Sequence, residues 1–147
     1  MWTLIKLVHL ASAIVWMGGM AFMLYALRPA IGMLTPPQRL TLIAEVLSRF
    51  FPMVRVAIAL LLLTGLAMLW HTGFRKAPLG WHLMMGIGLV MFALFGHLDA
   101  VPHRRLQHAV RDSDWPRAAD QMKQIPRLAT INFVLGWIAI AAMRLVP

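Results

Sequence analysis

Six histidines and twelve methionines are the side chains of this 147-residue chain best equipped for chemistry, and no cysteine accompanies them. Disulfides and thiolate ligands are therefore excluded, which leaves imidazole and thioether as the donors. Neutral imidazole holds haem iron axially and also binds copper. Thioether combined with imidazole is a soft ligand set suited to Cu(I). Other chemistries lack their parts. There are no paired carboxylates, Ser-His-Asp set, phosphate loop or HExxH motif, and Asp99 is the sole acid near an apolar run. Hydrolysis and multi-step proton pumping are disfavoured on that ground.

The depth at which these donors sit depends on the elements that carry them. The composition is 61% hydrophobic and 13% charged, with a mean hydropathy of +0.73. An ordinary soluble domain is ~45–50% apolar and ~25% charged. Lys, Arg, Asp and Glu are absent from Leu7–Leu27, Val56–Phe74, Ala77–Leu98 and Leu128–Met143. About 20 helical residues cross a hydrocarbon core ~30 Å thick. Four such runs describe an integral membrane protein and exclude a water-soluble enzyme. Spanning helices are predicted at about 3–27, 53–72, 79–101 and 126–145, within a single domain covering 1–147. Ala11, Ser12 and Ala13 have the small residues of a leader-cleavage site. Too little apolar sequence precedes them, so the first run is read as a retained helix.

Charge sets the expected orientation. Ten of the fourteen Lys and Arg lie between Arg28 and Arg55 or between Arg104 and Arg127. The positive-inside rule places those two loops in the cytoplasm, with both termini and the Arg75–Lys76 turn outside. The net charge of +9 then reads as topology and contact with anionic lipid, not as a nucleic-acid footprint. Trp2, Trp70 and Trp81 fall at the outer boundary, as an aromatic belt requires. The expected fold is all-α, an integral membrane antiparallel four-helix bundle with short interfacial helices in the cytoplasmic loops. One such helix follows the cap-like Thr35 and Pro36 and carries the stripe Leu40, Ile43, Leu47, Phe50 and Val54. It either lies along the interface or extends the second spanning helix downward, with a bend at Pro52. A second, over 112–125, has Trp115, Ala118, Met122 and Ile125 on one stripe and is expected to lie on the inner surface.

In this frame His9, His71 and His82 share one outer depth on three different helices. His97 lies towards the inner side, and His103 and His108 are expected at the cytoplasmic surface. A histidine within a span is a functional hypothesis because an unpaired polar ring is costly there; hydrogen bonding between helices is the plainer alternative. His9 and His82 are expected to face each other across helices one and three, with His71 as the alternative second ligand. For haem b, Trp16 walls the site, Gly19 and Gly86 open a slot, and Arg144 pairs with a propionate. Gly18, Gly65 and Gly88 extend the same set, although close helix packing is the better explanation of any one of these glycines. For copper, the same three histidines combine with Met20, Met84 and Met85. Met17, Met20 and Met23 form a stripe on helix one, a pattern that ordinary packing also produces. Arg55 and Asn132 are candidates to tie the bundle through Tyr25 or His97.

Six short motifs, taken in order, carry a resemblance. They are KLVHLASAIVWMGGM (Lys6–Met20), RFFP (Arg49–Pro52), LTGL (Leu63–Leu66), WHLMMG (Trp81–Gly86), Gly96-His97 followed by PHRRL (Pro102–Leu106), and DWPRAA (Asp114–Ala119). Together they make nearly the whole chain resemble the copper-resistance protein D domain. That resemblance implies copper handling and uptake, the activity of larger members at the periplasmic side. The chain is also similar to the membrane-embedded, haem-binding protoporphyrinogen oxidase. That second likeness implies importance for His9 and His82, which match that family's first- and third-helix histidines. The family's lysine, two residues beyond the second of these, is Met84 here, so the oxidase activity is not carried over, while a haem site is left open.

The leading expectation is a b-type haem protein of the bacterial inner membrane, passing electrons between a quinone and a periplasmic acceptor. A copper-binding or copper-transport protein using the same histidines plus methionine is the alternative. A cofactor-free structural subunit is the third reading. Expected partners are the lipid bilayer, a quinone or a periplasmic redox or copper protein, and a second copy of the chain.

Overall fold

A computed structural model describes residues 1–146. Among the described residues every regular element is helical. Four long apolar helices dominate: α1 (Trp2–Met33), α2 (Pro36–Thr72), α3 (Leu79–Arg111) and α4 (Trp115–Leu145). Each is long and apolar enough to cross a membrane, so the four-helix expectation holds. Both chain ends and the α2–α3 turn share one end of the bundle, called here the histidine end. The α1–α2 and α3–α4 turns share the other, the basic end.

Local chemistry explains where the helices begin and stop. Thr35 and Gln38 form a reciprocal capping box at the start of α2, with Pro36 as the first helical residue. Gly73 ends α2 at φ 84°, a conformation that costs glycine little. The Asp114 carboxylate accepts from the Arg117 amide and starts α4.

Of the two readings for the stretch after Thr35 the structure takes the downward extension of the second spanning helix, and it corrects the separate helix expected over 112–125. Residues 39–51 are the lower part of α2, which runs unbroken for 37 residues through Pro52. Residues 115–125 are likewise the first turns of α4, which continues through Pro126. Proline inside a helix removes a hydrogen bond and costs ~3 kcal/mol. Continuous packing offsets that cost. Leu40, Ile43, Ala44, Leu47, Phe51, Val54, Ala57 and Leu61 form one buried stripe passing Pro52. On α4, Ala118, Gln121, Ile125, Asn132 and Gly136 do the same around Pro126. A helix laid flat on the surface would leave these stripes without the partner helix that now covers them.

Two further irregularities occur within the long helices. α1 contains a π-helical turn at Met23–Leu27, and α3 contains one at Asp99–His103, around Pro102. The second carries α3 past the proline to Arg111, beyond its expected end near 101.

The core is concentrated at the basic end. Val54, Leu106, Ala109 and Ala118 have no exposed surface there. α1 packs mainly on α2, and the upper part of α3 mainly on α4; below, α2 also meets the end of α3. At the histidine end Leu4, Leu7, Leu10 and Leu63 are each about 60% exposed, as suits side chains facing lipid.

Candidate functional site

The three histidines of the histidine end are each held differently. His9, on α1, places Nδ1 2.8 Å from the Thr64 hydroxyl on α2. That hydroxyl donates its single proton to the Leu60 carbonyl at 2.5 Å. Thr64 Oγ1 therefore accepts from His9, so the imidazole carries its proton on Nδ1. Nε2 keeps its lone pair. Gly65 allows the approach, because a Cβ there would stand 3.5 Å from the ring.

His82, in the first turns of α3, has Nδ1 3.2 Å from the Pro78 carbonyl. A carbonyl only accepts, so Nδ1 is again the protonated nitrogen and Nε2 the free one. Its ring meets Phe74 edge-on at 4.7 Å. His71, near the end of α2, is exposed and stacks on Trp2 at 4.4 Å. Lys6 Nζ lies 5.2 Å from the Trp2 ring centroid, close enough for a cation–π contact.

Both bonds are made through Nδ1, and neither joins His9 to His82. Among the described residues no hydrogen bond or ring contact joins the three histidines to one another. Nor do three His, Asp or Glu side chains converge there on a metal-sized position. The reason is the helix pairing: α1 packs on α2, so the nearest polar group for His9 is Thr64.

The remaining expected site residues divide between packing and open surface. Trp16 is buried, but against Phe92 and Phe95 of α3 at 5.7 and 6.2 Å. Gly19 admits the Phe50 ring, which a Cβ would strike, so it is a helix-packing glycine and not part of a slot. Gly86 is exposed with nothing near it. Met20 is buried, Met84 and Met85 are half-buried, and Arg144 is exposed in the last turn of α4.

Sequence reading also missed polar groups at the basic end. His103 is buried, not at the surface as expected. Its Nδ1 lies 3.0 Å from Asp99 and its Nε2 3.1 Å from the Gln107 amide nitrogen. The same amide donates to the Ala44 carbonyl on α2 at 2.7 Å. His103 is thus neutral, donating to Asp99 and accepting from Gln107. Arg55 completes the chain, 3.6 Å from Asp99, instead of reaching Tyr25 or His97. Asn132 donates to the Met91 carbonyl at 3.1 Å, also not to either expected partner, and His97 is exposed. The spacing of Asp99, His103 and Gln107, four residues apart on one helical face, was the available signal. Thr64 carried one too, as a hydroxyl inside an apolar run.

A model of the copper resistance protein D family matches residues 44–146, from the lower part of α2 to the end of α4. His71 and His82 lie inside the matched segment, whereas His9 lies before it. No curated protein and no solved structure matches the chain. None of these comparisons bears on the likeness to protoporphyrinogen oxidase, and the matched family's description concerns copper, not haem.

Proposed function

The chain belongs to the copper resistance protein D family, and we propose from that premise that this multi-pass membrane protein binds copper and passes the ion on, with His9 and His82 as imidazole ligands. One observation carries the reading. Both rings give their Nδ1 proton to a fixed oxygen, Thr64 Oγ1 or the Pro78 carbonyl, and keep Nε2 free. Metal-ligating histidines are oriented in this way, and the bond to the second nitrogen makes the first a better donor. Met84 and Met85, two and three residues beyond His82, and Met68, one turn before His71, supply neutral soft donors suited to Cu(I). His71, stacked on Trp2, is the third candidate ligand.

The same imidazoles suit haem iron, but the family supports copper. A reduced visible spectrum decides between them, since a haem protein shows a Soret band and a Cu(I) protein has no colour. In the copper reading, purified protein competes with a Cu(I) chelator, and His9→Ala and His82→Ala each weaken that competition. Unchanged copper content in both variants would falsify the assignment.

The basic loops favour an orientation with the histidine end outside a bacterial inner membrane. A reporter active only in the cytoplasm, fused after Pro147, is expected to stay silent. A strong signal would turn the histidine end inward.

A further inference from the structure

Towards the basic end the helices line a partly open cavity of about 50 Å³. Met20 and Met23 of α1 and Met122 of α4 line it, together with Trp16 and Asn132, and Arg28 stands at its rim. The rest of the wall is aliphatic or phenylalanine, with no carboxylate. Divalent hard cations need oxygen-rich, charged cages, so this wall cannot hold them. Thioethers from two helices around an ion-sized space are neutral soft donors, which suit a monovalent soft cation.

Asn132 adds an independent pointer. It is 2% exposed, and its amide nitrogen is held by the Met91 carbonyl. Among the described residues its Oδ1 has no hydrogen-bond partner. An acceptor left unpaired inside a bundle costs ~1–3 kcal/mol, and a cation, or a water carried with it, would supply the missing partner. Met17 packs over Gly136 and continues the line of Met20 and Met23 along α1. The π-helical turn beginning at Met23 is the kind of irregularity that recurs at functional sites.

On the copper reading above, we propose that this cavity is a second Cu(I) site, formed by Met20, Met23 and Met122 and separate from the histidines. It takes the ion as a substrate in transit, bound by thioethers alone or with one water on Asn132. No covalent or redox step is involved.

The test uses the full chain in lipid nanodiscs with ¹³C-labelled methionine methyls and Ag(I), a redox-silent stand-in for Cu(I). Single Met→Leu variants assign the signals and conserve core volume. The methyls of Met20, Met23 and Met122 are expected to shift, while those of exposed Met33 and Met53 stay in place. In Met122→Leu, the Met20 and Met23 shifts should need roughly tenfold more Ag(I). Met20→Leu is the second variant if Met122→Leu folds poorly. His9→Ala combined with His82→Ala should leave the cavity shifts intact. If saturating Ag(I) moves only Met68, Met84 and Met85, the cavity site is wrong and the histidine-end function stands. If no methyl moves and no metal binds, both are wrong. Shifts that survive unchanged in both Met→Leu variants also overturn the cavity site.

Discussion

The basic end and the histidine end treat their polar groups in opposite ways. At the basic end Arg55, Asp99, His103, Gln107 and the Ala44 carbonyl form one continuous chain of contacts across α2 and α3. Both His103 ring nitrogens are bonded, and the Gln107 amide nitrogen bridges the ring to the Ala44 carbonyl. At the histidine end His9 and His82 each have one ring nitrogen bonded and the other free. The histidines of the two ends thus have different prospects. The first is closed and holds helices together; the second has coordination capacity left over.

Mutations can break that contrast. Leu106→Ala, at a position with no exposed surface, removes packing where α2, α3 and α4 meet. A loss of about 2–5 kcal/mol is expected, read as a lowered melting temperature in detergent. An equal loss from the lipid-facing Leu7→Ala would remove the distinction between the two ends. Gln107→Leu leaves His103 Nε2 without a donor and removes the side-chain bond that the Ala44 carbonyl accepts beside its own helix bond. It should cost about 1–3 kcal/mol and leave copper affinity unchanged. A copper defect in that variant would mean that the basic end takes part in binding.

Thr64→Val sharpens the contrast from the other side. The shape is kept, but His9 Nδ1 loses its acceptor, and the tautomer is no longer fixed. Copper affinity should fall roughly tenfold, or ~1.4 kcal/mol, in a chelator competition. The melting temperature should move little. If melting drops and copper binding does not, the His9–Thr64 bond is structural only.

The contrast was only partly legible in the sequence. Four charge-free runs located the four helices because lipid tolerates little else. The prolines misled. Pro52, Pro102 and Pro126 read as boundaries, since each removes a backbone donor. Tertiary burial on either side carried α2, α3 and α4 through all three. With α3 ended near 101, His103 and Gln107 fell outside it, and their shared face with Asp99 was lost. The depth of His9, His71 and His82 followed from helix positions, but their partners did not. Which helices pair is decided by side-chain fit such as Phe50 in the gap at Gly19, and no periodicity reports that.

The unbroken α2 has a consequence for what surrounds the molecule. Its 37 residues make a rod of about 55 Å, against ~30 Å of hydrocarbon. Even when tilted, it reaches well into the headgroups and the water beyond. The lower stripe from Leu40 to Phe51 and its cover from α3 and α4 are therefore immersed in a different solvent from the rest. Water drives burial there as it does in a soluble domain. In hydrocarbon that drive is absent, and close packing alone joins helices. One chain thus folds under two sets of rules. Urea, which weakens burial from water, should loosen the basic end first and leave the helices around His9 and His82 assembled in their lipid.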